Sequence, residues 1–248
     1  LSQIKAKEML KIPCVKIVLG TKNRHMIIDY LNEYLLKNEP LDHSEPLEKN
    51  EAFENLSVQN FQHHQRAFVK IQDGCNNFCT YCIIPYTRCR IRSKDKDLIL
   101  EEVQSLVLNG HKEIVLTGIH TGGYGEDLEN YSFADLLSEL ESVDGLKRIR
   151  ISSIEITELN ADVLSVIQSS KKIVNHLHIP LQSGSNKILK LMNRKYDQGA
   201  FLDKINEIRD TLGQIAITTD VIVGFPGETD DDFQEAYDFI QLLGFQEI

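Results

Sequence analysis

Cys75, Cys79 and Cys82 stand within the stretch Gly74-Cys75-Asn76-Asn77-Phe78-Cys79-Thr80-Tyr81-Cys82. A loop with C-x₃-C-x₂-C spacing can bring three sulfurs to one point around a compact inorganic centre. A structural zinc normally takes four protein ligands, and an iron–sulfur cube is usually held by four thiolates, one per iron. Three thiolates leave one iron without a protein ligand. That is what a substrate-binding cluster requires, much as a catalytic zinc keeps one position free. Two other readings stand beside this one: a zinc site completed by a distant histidine or by Cys89, and thiols that bind nothing. The chain has five cysteines, an odd number that does not make a disulfide framework. Cys14 reads as a packed core thiol.

Such a loop needs a rigid mount. From Arg66 onward strand and helix patterns alternate. Strands are predicted at Phe68–Ile71, Glu113–Thr117, Arg148–Ser152, Val174–Pro180 and Ile215–Val223, with another starting at Phe245–Ile248. Between them Ile99, Val103, Leu106 and Val107 share one helix face, which Asn109-Gly110 ends. Phe133, Leu136, Leu137 and Leu140 mark a second face, and Leu159, Val163, Leu164 and Ile167 a third. Thr229 with Asp232 opens the last helix as a capping box. This alternation implies parallel strands joined by right-handed crossovers. About five units of roughly 35 residues fit here, whereas a closed eight-stranded barrel needs about 250 residues. The expected fold class is α/β: a partial, open TIM-like barrel of about six parallel strands with outer helices, plus a small α/β N-terminal remnant. Three segments are expected: the remnant at 1–38, a polar linker at 39–65, and the barrel at 66–248. Chemistry in this architecture belongs at the carboxyl ends of the strands, which is where the cysteine loop falls.

The 248 residues are 42% hydrophobic and 26% charged, which excludes a disordered or collagen-like chain. No apolar run approaches the roughly 20 residues of a membrane helix. The opening Leu1-Ser2-Gln3-Ile4-Lys5 has no secretory pattern, so a cytoplasmic location is expected. The chain also lacks an initiator Met, as a piece of a longer protein would. A formal net charge of −10 disfavours nucleic acid unless positive charge is gathered locally.

The cysteine motif after the first strand resembles the signature of radical S-adenosylmethionine (SAM) enzymes. The stretch from Lys70 to Arg88, with its Cys82-Ile83-Ile84-Pro85-Tyr86-Thr87-Arg88, resembles the methylthiotransferase branch of that family. So do the blocks Leu116–Gly125, Arg150–Glu155, His178–Ser185 and Gly224–Thr229, in family order. Within the branch, Thr117-Gly118-Ile119-His120-Thr121-Gly122-Gly123-Tyr124-Gly125 is most similar to enzymes acting on threonylcarbamoyladenosine at position 37 of tRNA. Enzymes for isopentenyladenosine or for a ribosomal-protein aspartate carry a different block there.

The resemblance implies a [4Fe–4S] cluster on Cys75, Cys79 and Cys82, with SAM chelating the free iron and cleaved to a 5′-deoxyadenosyl radical. For the full-length parent it implies transfer of a methylthio group to C2 of the modified adenosine. It further implies a second [4Fe–4S] cluster in an N-terminal domain outside this chain and a C-terminal RNA-binding barrel. The expected partners are the tRNA anticodon loop and a flavodoxin- or ferredoxin-type electron donor. No membrane is expected, and the protein is expected to be monomeric. SAM contacts are implied for Gly118, His120, Ser153, Glu155, Gln182, Ser183, Ile222 and Gly224. Ile222 is the apolar candidate against adenine, in a strand where Asp220 replaces the family's first glycine. His120 reads equally as a structural histidine, and the polar strand-end residues as ordinary satisfied groups. Arg88, Arg90, Arg92 and Lys94 alternate after the cysteine loop; they suit RNA phosphates or a solvated strand edge. Cys89 interrupts this run where relatives carry glycine and is not assigned as a ligand. The remaining histidines, His63 and His64 among them, lack partners at ligand spacing. A reading of another class is a metal-stabilised RNA-binding module without turnover.

Overall fold

The structure, a computed structural model, describes residues 2–48, 51–58, 61 and 65–248; His63 and His64 lie outside them. The chain opens with α1 (Ser2–Met9), broken at Lys5, then β1 (Ile17–Leu19), α2 (Ile27–Lys37) and β2 (Leu41–His43). β2 pairs in parallel with β1, Val18 opposite Asp42. The stretch read as linker therefore begins with a strand, which the turn at Asn38 (φ +53°) delivers. Tyr30 is buried under this small sheet and its ring stacks on His43 at 3.8 Å. A two-stranded sheet covers little, so Ile28, Leu35 and Leu36 of α2 stay exposed. Cys14, expected in a core, is exposed.

Described residues further along the linker lie against their neighbours. Glu54 pairs with Arg24 at 2.7 Å, Glu51 with Lys22 at 3.3 Å, and the Val58 N–H donates to Glu102 at 3.1 Å.

The barrel begins with β3 (Arg66–Lys70). A short antiparallel pair follows, β4 (Gln72–Asp73) and β5 (Arg92–Ser93), which closes the base of the cysteine loop. Within that loop lies α3 (Ile84–Thr87). Thereafter come α4 (Lys96–Leu108), β6 (Glu113–Thr117), α5 (Phe133–Glu141), β7 (Arg148–Ile151), α6 (Ala161–Ser169), β8 (His176–His178), α7 (Asn186–Leu191), α8 (Gln198–Leu212), β9 (Ala216–Thr218) and α9 (Asp230–Leu243). β3, β6 and β7 form a parallel sheet, and β8 pairs in parallel with β9. Parallel bridges Ile149–Ile173 and Ser153–His178 join the two, and Thr218–Glu247 adds a sixth strand position. Spatial order thus equals chain order, so the sheet curls like a barrel wall. Among the described residues nothing pairs the sixth position back to β3, and the barrel is open.

β6 is buried along both faces, as a central parallel strand between layers must be. Ile114, Leu116, Leu136, Leu140, Ile149, Leu164 and Phe201 carry the core beneath the helices. The fourth and fifth strands are shorter than their apolar runs predict. The ladder is interrupted where Pro180 has no N–H to donate and the Leu181 N–H goes to the Thr219 hydroxyl at 2.9 Å, and it resumes at the Gln182–Val221 bridge, with Gln182 at φ +67°.

The capping box of α9 forms as read: the Thr229 N–H donates to Asp232 at 2.9 Å and the Asp232 N–H to Thr229 at 3.3 Å. The hydrogen bond from Lys187, followed by those from Thr229, holds the Asp232 carboxyl well below the usual carboxylate range. A depressed folded pKa contributes stability above the unfolded value of about 3.9, lost as pH falls below it. Between pH 5 and 3 the urea midpoint should therefore drop more steeply for the native chain than for Asp232→Asn.

Candidate functional site

The cysteine loop leaves β4 through Gly74, at φ +76°, where a built Cβ would collide with the Arg90 carbonyl oxygen. Glycine alone permits this crossing of loop and return strand. Gly74→Ala should therefore displace the loop and lower iron uptake on reconstitution, read as iron per chain. The Cys75 N–H donates to the Cys89 carbonyl at 3.2 Å, closing the same crossing. Gln72 is fully buried beneath it. Its amide donates to the Asp73 and Gly74 carbonyls at 2.8 and 2.7 Å and accepts from the His120 N–H at 2.9 Å. One side chain thus ties the cysteine loop to the loop after β6.

From the other side, the segment between α7 and α8 clamps the loop. Thr80 donates through its N–H to Met192 at 3.1 Å and through its hydroxyl to Leu191 at 2.9 Å. The Asn193 amide donates to the Phe78 carbonyl at 3.0 Å. Arg194 is the centre of this clamp. Its side chain is 3% exposed, and its Nη1 lies 3.4 Å from Cys79 Sγ. Its Nη2 pairs with Glu155, and its guanidinium packs over Tyr196 at 4.9 Å. The Tyr196 hydroxyl accepts from Arg194 Nε at 3.0 Å and donates to Leu181 at 2.9 Å, joining the fourth strand end. A small cavity here is lined by Cys79, Glu155, Asn193, Arg194 and Tyr196.

Burial pushes the Cys75 thiol up to about 11, only partly offset by the Asn77 N–H on its sulfur, with Cys79, Cys82 and Glu155 adding to the rise. Three thiolates in this loop need a positive centre. A tetrahedral zinc at about 2.3 Å from each would hold its sulfurs about 3.8 Å apart, yet the three sulfurs do not all lie within 4.8 Å of one another. Cys89 does not complete a fourth corner: its thiol donates to the Glu48 carbonyl at 3.3 Å.

A family profile described as the radical SAM superfamily matches residues 69–240. The chain belongs to the radical SAM superfamily. That membership implies a [4Fe–4S] cluster and SAM, and the donor set fits: three spread thiols, no fourth, and a buried cation–carboxylate pair beside one of them. Solved radical SAM proteins share the fold. They include the methyltransferase TsrM from Kitasatospora setae (TM-score 0.59, 14% identity, 73% of this chain and 34% of that one). Coproporphyrinogen III oxidase HemN from Escherichia coli gives a TM-score of 0.52 at 18% identity, over 73% of this chain and 42% of that one.

Among curated relatives, the threonylcarbamoyladenosine tRNA methylthiotransferase MtaB of Bacillus subtilis is 50% identical over 100% of this chain and 55% of its own length. A tRNA-2-methylthio-N(6)-dimethylallyladenosine synthase of Clostridium botulinum is 41% identical over 95% of this chain and 52% of its own. The chain spans about half the length of the curated relatives it matches.

In this radical SAM core the sequence-derived residues fall at the strand ends, but not all in one place. Glu155 meets Arg194 beside Cys79. His120 is buried, with Nε2 in an ion pair with Glu158 and 3.2 Å from the Asn77 amide. Burial works against its charge, yet Glu158 lifts its pKa above the ordinary imidazole value. Gly118 packs on Gln72 and has no room for a Cβ. Ser153 is exposed at the bridge to His178. Ile222 donates its N–H to the Gln182 carbonyl at 2.8 Å, so these two sit side by side. Gly224 is exposed, its φ of +75° explaining the glycine. Ser183 does not offer itself to a ligand here: it is fully buried and its hydroxyl accepts from the Ser185 N–H at 3.2 Å.

The basic run also differs from the expectation. Lys94 is 1% exposed and paired with Glu102. Arg92 is buried with Asp73 at 3.6 Å, and Arg88 contacts the same carboxylate at 3.3 Å. These cations stabilise the hairpin at the loop base, so phosphates cannot reach Arg92 or Lys94. Arg90 is the exposed member. Arg194, Tyr196, Gln72 and Glu158 escaped the sequence reading. The only local signal was the dense polar stretch Asn193-Arg194-Lys195-Tyr196 between two helices.

Proposed function

We propose that the full-length protein is a tRNA-modifying radical SAM methylthiotransferase that methylthiolates C2 of threonylcarbamoyladenosine at position 37. Carrying the radical SAM chemistry is the Arg194–Glu155 pair beside Cys79. A buried cation and a carboxylate beside one thiol of the loop suit the carboxylate and amino ends of an amino-acid ligand. Cys75, Cys79 and Cys82 would hold the cluster, which supplies one electron for cleaving the SAM sulfonium. The protein's own residues orient SAM: Arg194 and Glu155 hold its amino-acid end, while Gln182 and Ile222 offer a polar and an apolar surface at the next two strand ends. The target base supports the reading through 50% identity to the threonylcarbamoyladenosine relative across the whole chain, against 41% for the dimethylallyladenosine one. Exposed Arg90 beside the loop is a phosphate contact in this reading. The second cluster, the electron donor of flavodoxin or ferredoxin type and a monomeric cytoplasmic protein belong to the same proposal.

The full-length protein, reconstituted anaerobically with iron and sulfide, should release 5′-deoxyadenosine on reduction. It should also convert threonylcarbamoyladenosine tRNA to its 2-methylthio form, read by nucleoside mass spectrometry. Modification of dimethylallyladenosine tRNA alone would refute the substrate. One bound zinc and no SAM cleavage would instead support a metal-stabilised RNA-binding module.

A further inference from the structure

A second set of ligating side chains lies on the same face, next to the cysteine loop but sharing no residue with it. His120, Glu126 and Glu158 each offer a ligand atom within 4.8 Å of the others. They stand at the wall of a cleft of about 380 Å³, which Ser132, Asn160 and Asp162 also line. The His120 and Glu158 side chains are each 8% exposed. While Nε2 of the imidazole meets Glu158, its buried Nδ1 has no hydrogen-bond partner. Glu158 Oε1 is likewise buried without a hydrogen-bond partner, and an unsatisfied carboxylate oxygen at such burial is costly unless a ligand takes it up. The ring edge that can share a cation with Glu158 is Nε2, which lies against it.

Two glycines leave the space beside these groups. A Cβ built on Gly123 would lie 2.8 Å from His120 Nδ1 and 3.3 Å from Glu126 Oε1, and one on Gly122 would strike the Glu158 carboxylate. Three carboxylates, Glu126, Glu158 and Asp162, face one imidazole, so the cleft favours a cation. A mixed set of one imidazole nitrogen and two carboxylates suits a divalent first-row transition metal, and the cleft leaves it positions open to water or substrate.

We infer that His120, Glu126 and Glu158 bind one divalent transition-metal cation beside the cysteine loop. The site shares no ligand with the cluster, although Asn77 of the cysteine loop lines the same cleft, and metal binding is read apart from SAM cleavage.

Manganese is the probe, being a hard ion with little taste for thiolates. Oxidised, cluster-loaded protein is titrated with Mn²⁺ and the free ion is followed by electron paramagnetic resonance. One Mn²⁺ per chain should bind, with a nitrogen coupling from the imidazole in the electron spin echo. Glu126→Gln alters an exposed side chain and should melt like the native chain without metal. It should weaken binding by more than the roughly 10–100-fold typical of losing a mere outer-shell partner. Cys75→Ala should leave Mn²⁺ binding unchanged. The assignment is overturned by no stoichiometric binding below millimolar Mn²⁺, by equal binding to Glu126→Gln, or by bound Mn²⁺ without the nitrogen coupling.

Discussion

Cys79→Ala should abolish cluster loading and SAM cleavage together. Iron after anaerobic reconstitution should fall from about four per chain to below one, and 5′-deoxyadenosine formation to the uncatalysed background. The reason is the closed donor count of the loop. Cys75 and Cys82 alone cannot hold a cube, and the Cys89 thiol is turned to the Glu48 carbonyl. Cys14→Ala, at an exposed cysteine in the N-terminal unit, is the matching control and should retain full iron. Iron analysis with visible absorption, and chromatography of the nucleoside product, check both. Full iron retention in Cys79→Ala would remove the three-thiol centre from this loop.

Arg194→Met should be the most damaging change outside the cysteines. It removes a 3% exposed guanidinium that binds Glu155, packs on Tyr196 and approaches Cys79. Breaking such a buried pair by one partner costs about 3–5 kcal/mol. The lower end applies, because the Glu155 side chain remains 18% exposed and gains some water. The double variant Arg194→Met with Glu155→Gln should recover much of that loss in urea unfolding, since no unpaired charge remains. SAM affinity should not recover. A charge-assisted hydrogen bond worth about 1.5–3 kcal/mol corresponds to a roughly 10–150-fold rise in Kd, measurable by calorimetry. If the double variant binds SAM like the native protein, Arg194 is a structural clamp alone.

Much of this was legible along the chain. Three thiols in eight positions already restrict the chemistry, because local spacing survives whatever fold carries it. The strand–helix alternation predicted an open parallel barrel, since about five strand–helix units fit from Arg66 onward and a closed barrel needs eight. Glu113–Thr117 and the Thr229–Asp232 cap fall where their patterns put them. α8 was not read from the sequence: its cap Asp197 and the buried face of Phe201, Ile205 and Ile208 are interspersed with polar residues that masked the stripe.

What the sequence by itself determined, then, was the donor set and the strand ends that present it. What only the tertiary structure decided was which distant side chains close around that set. Arg194 stands 115 positions from Cys79 and Glu158 lies on a different loop from His120, and no periodicity encodes such meetings. Burial also decided the fate of the basic run. Alternating cations look alike in sequence whether they face phosphate or Asp73 and Glu102, because charge alone carries no direction; the hairpin that turns Arg92 and Lys94 inward exists only once β4 and β5 pair.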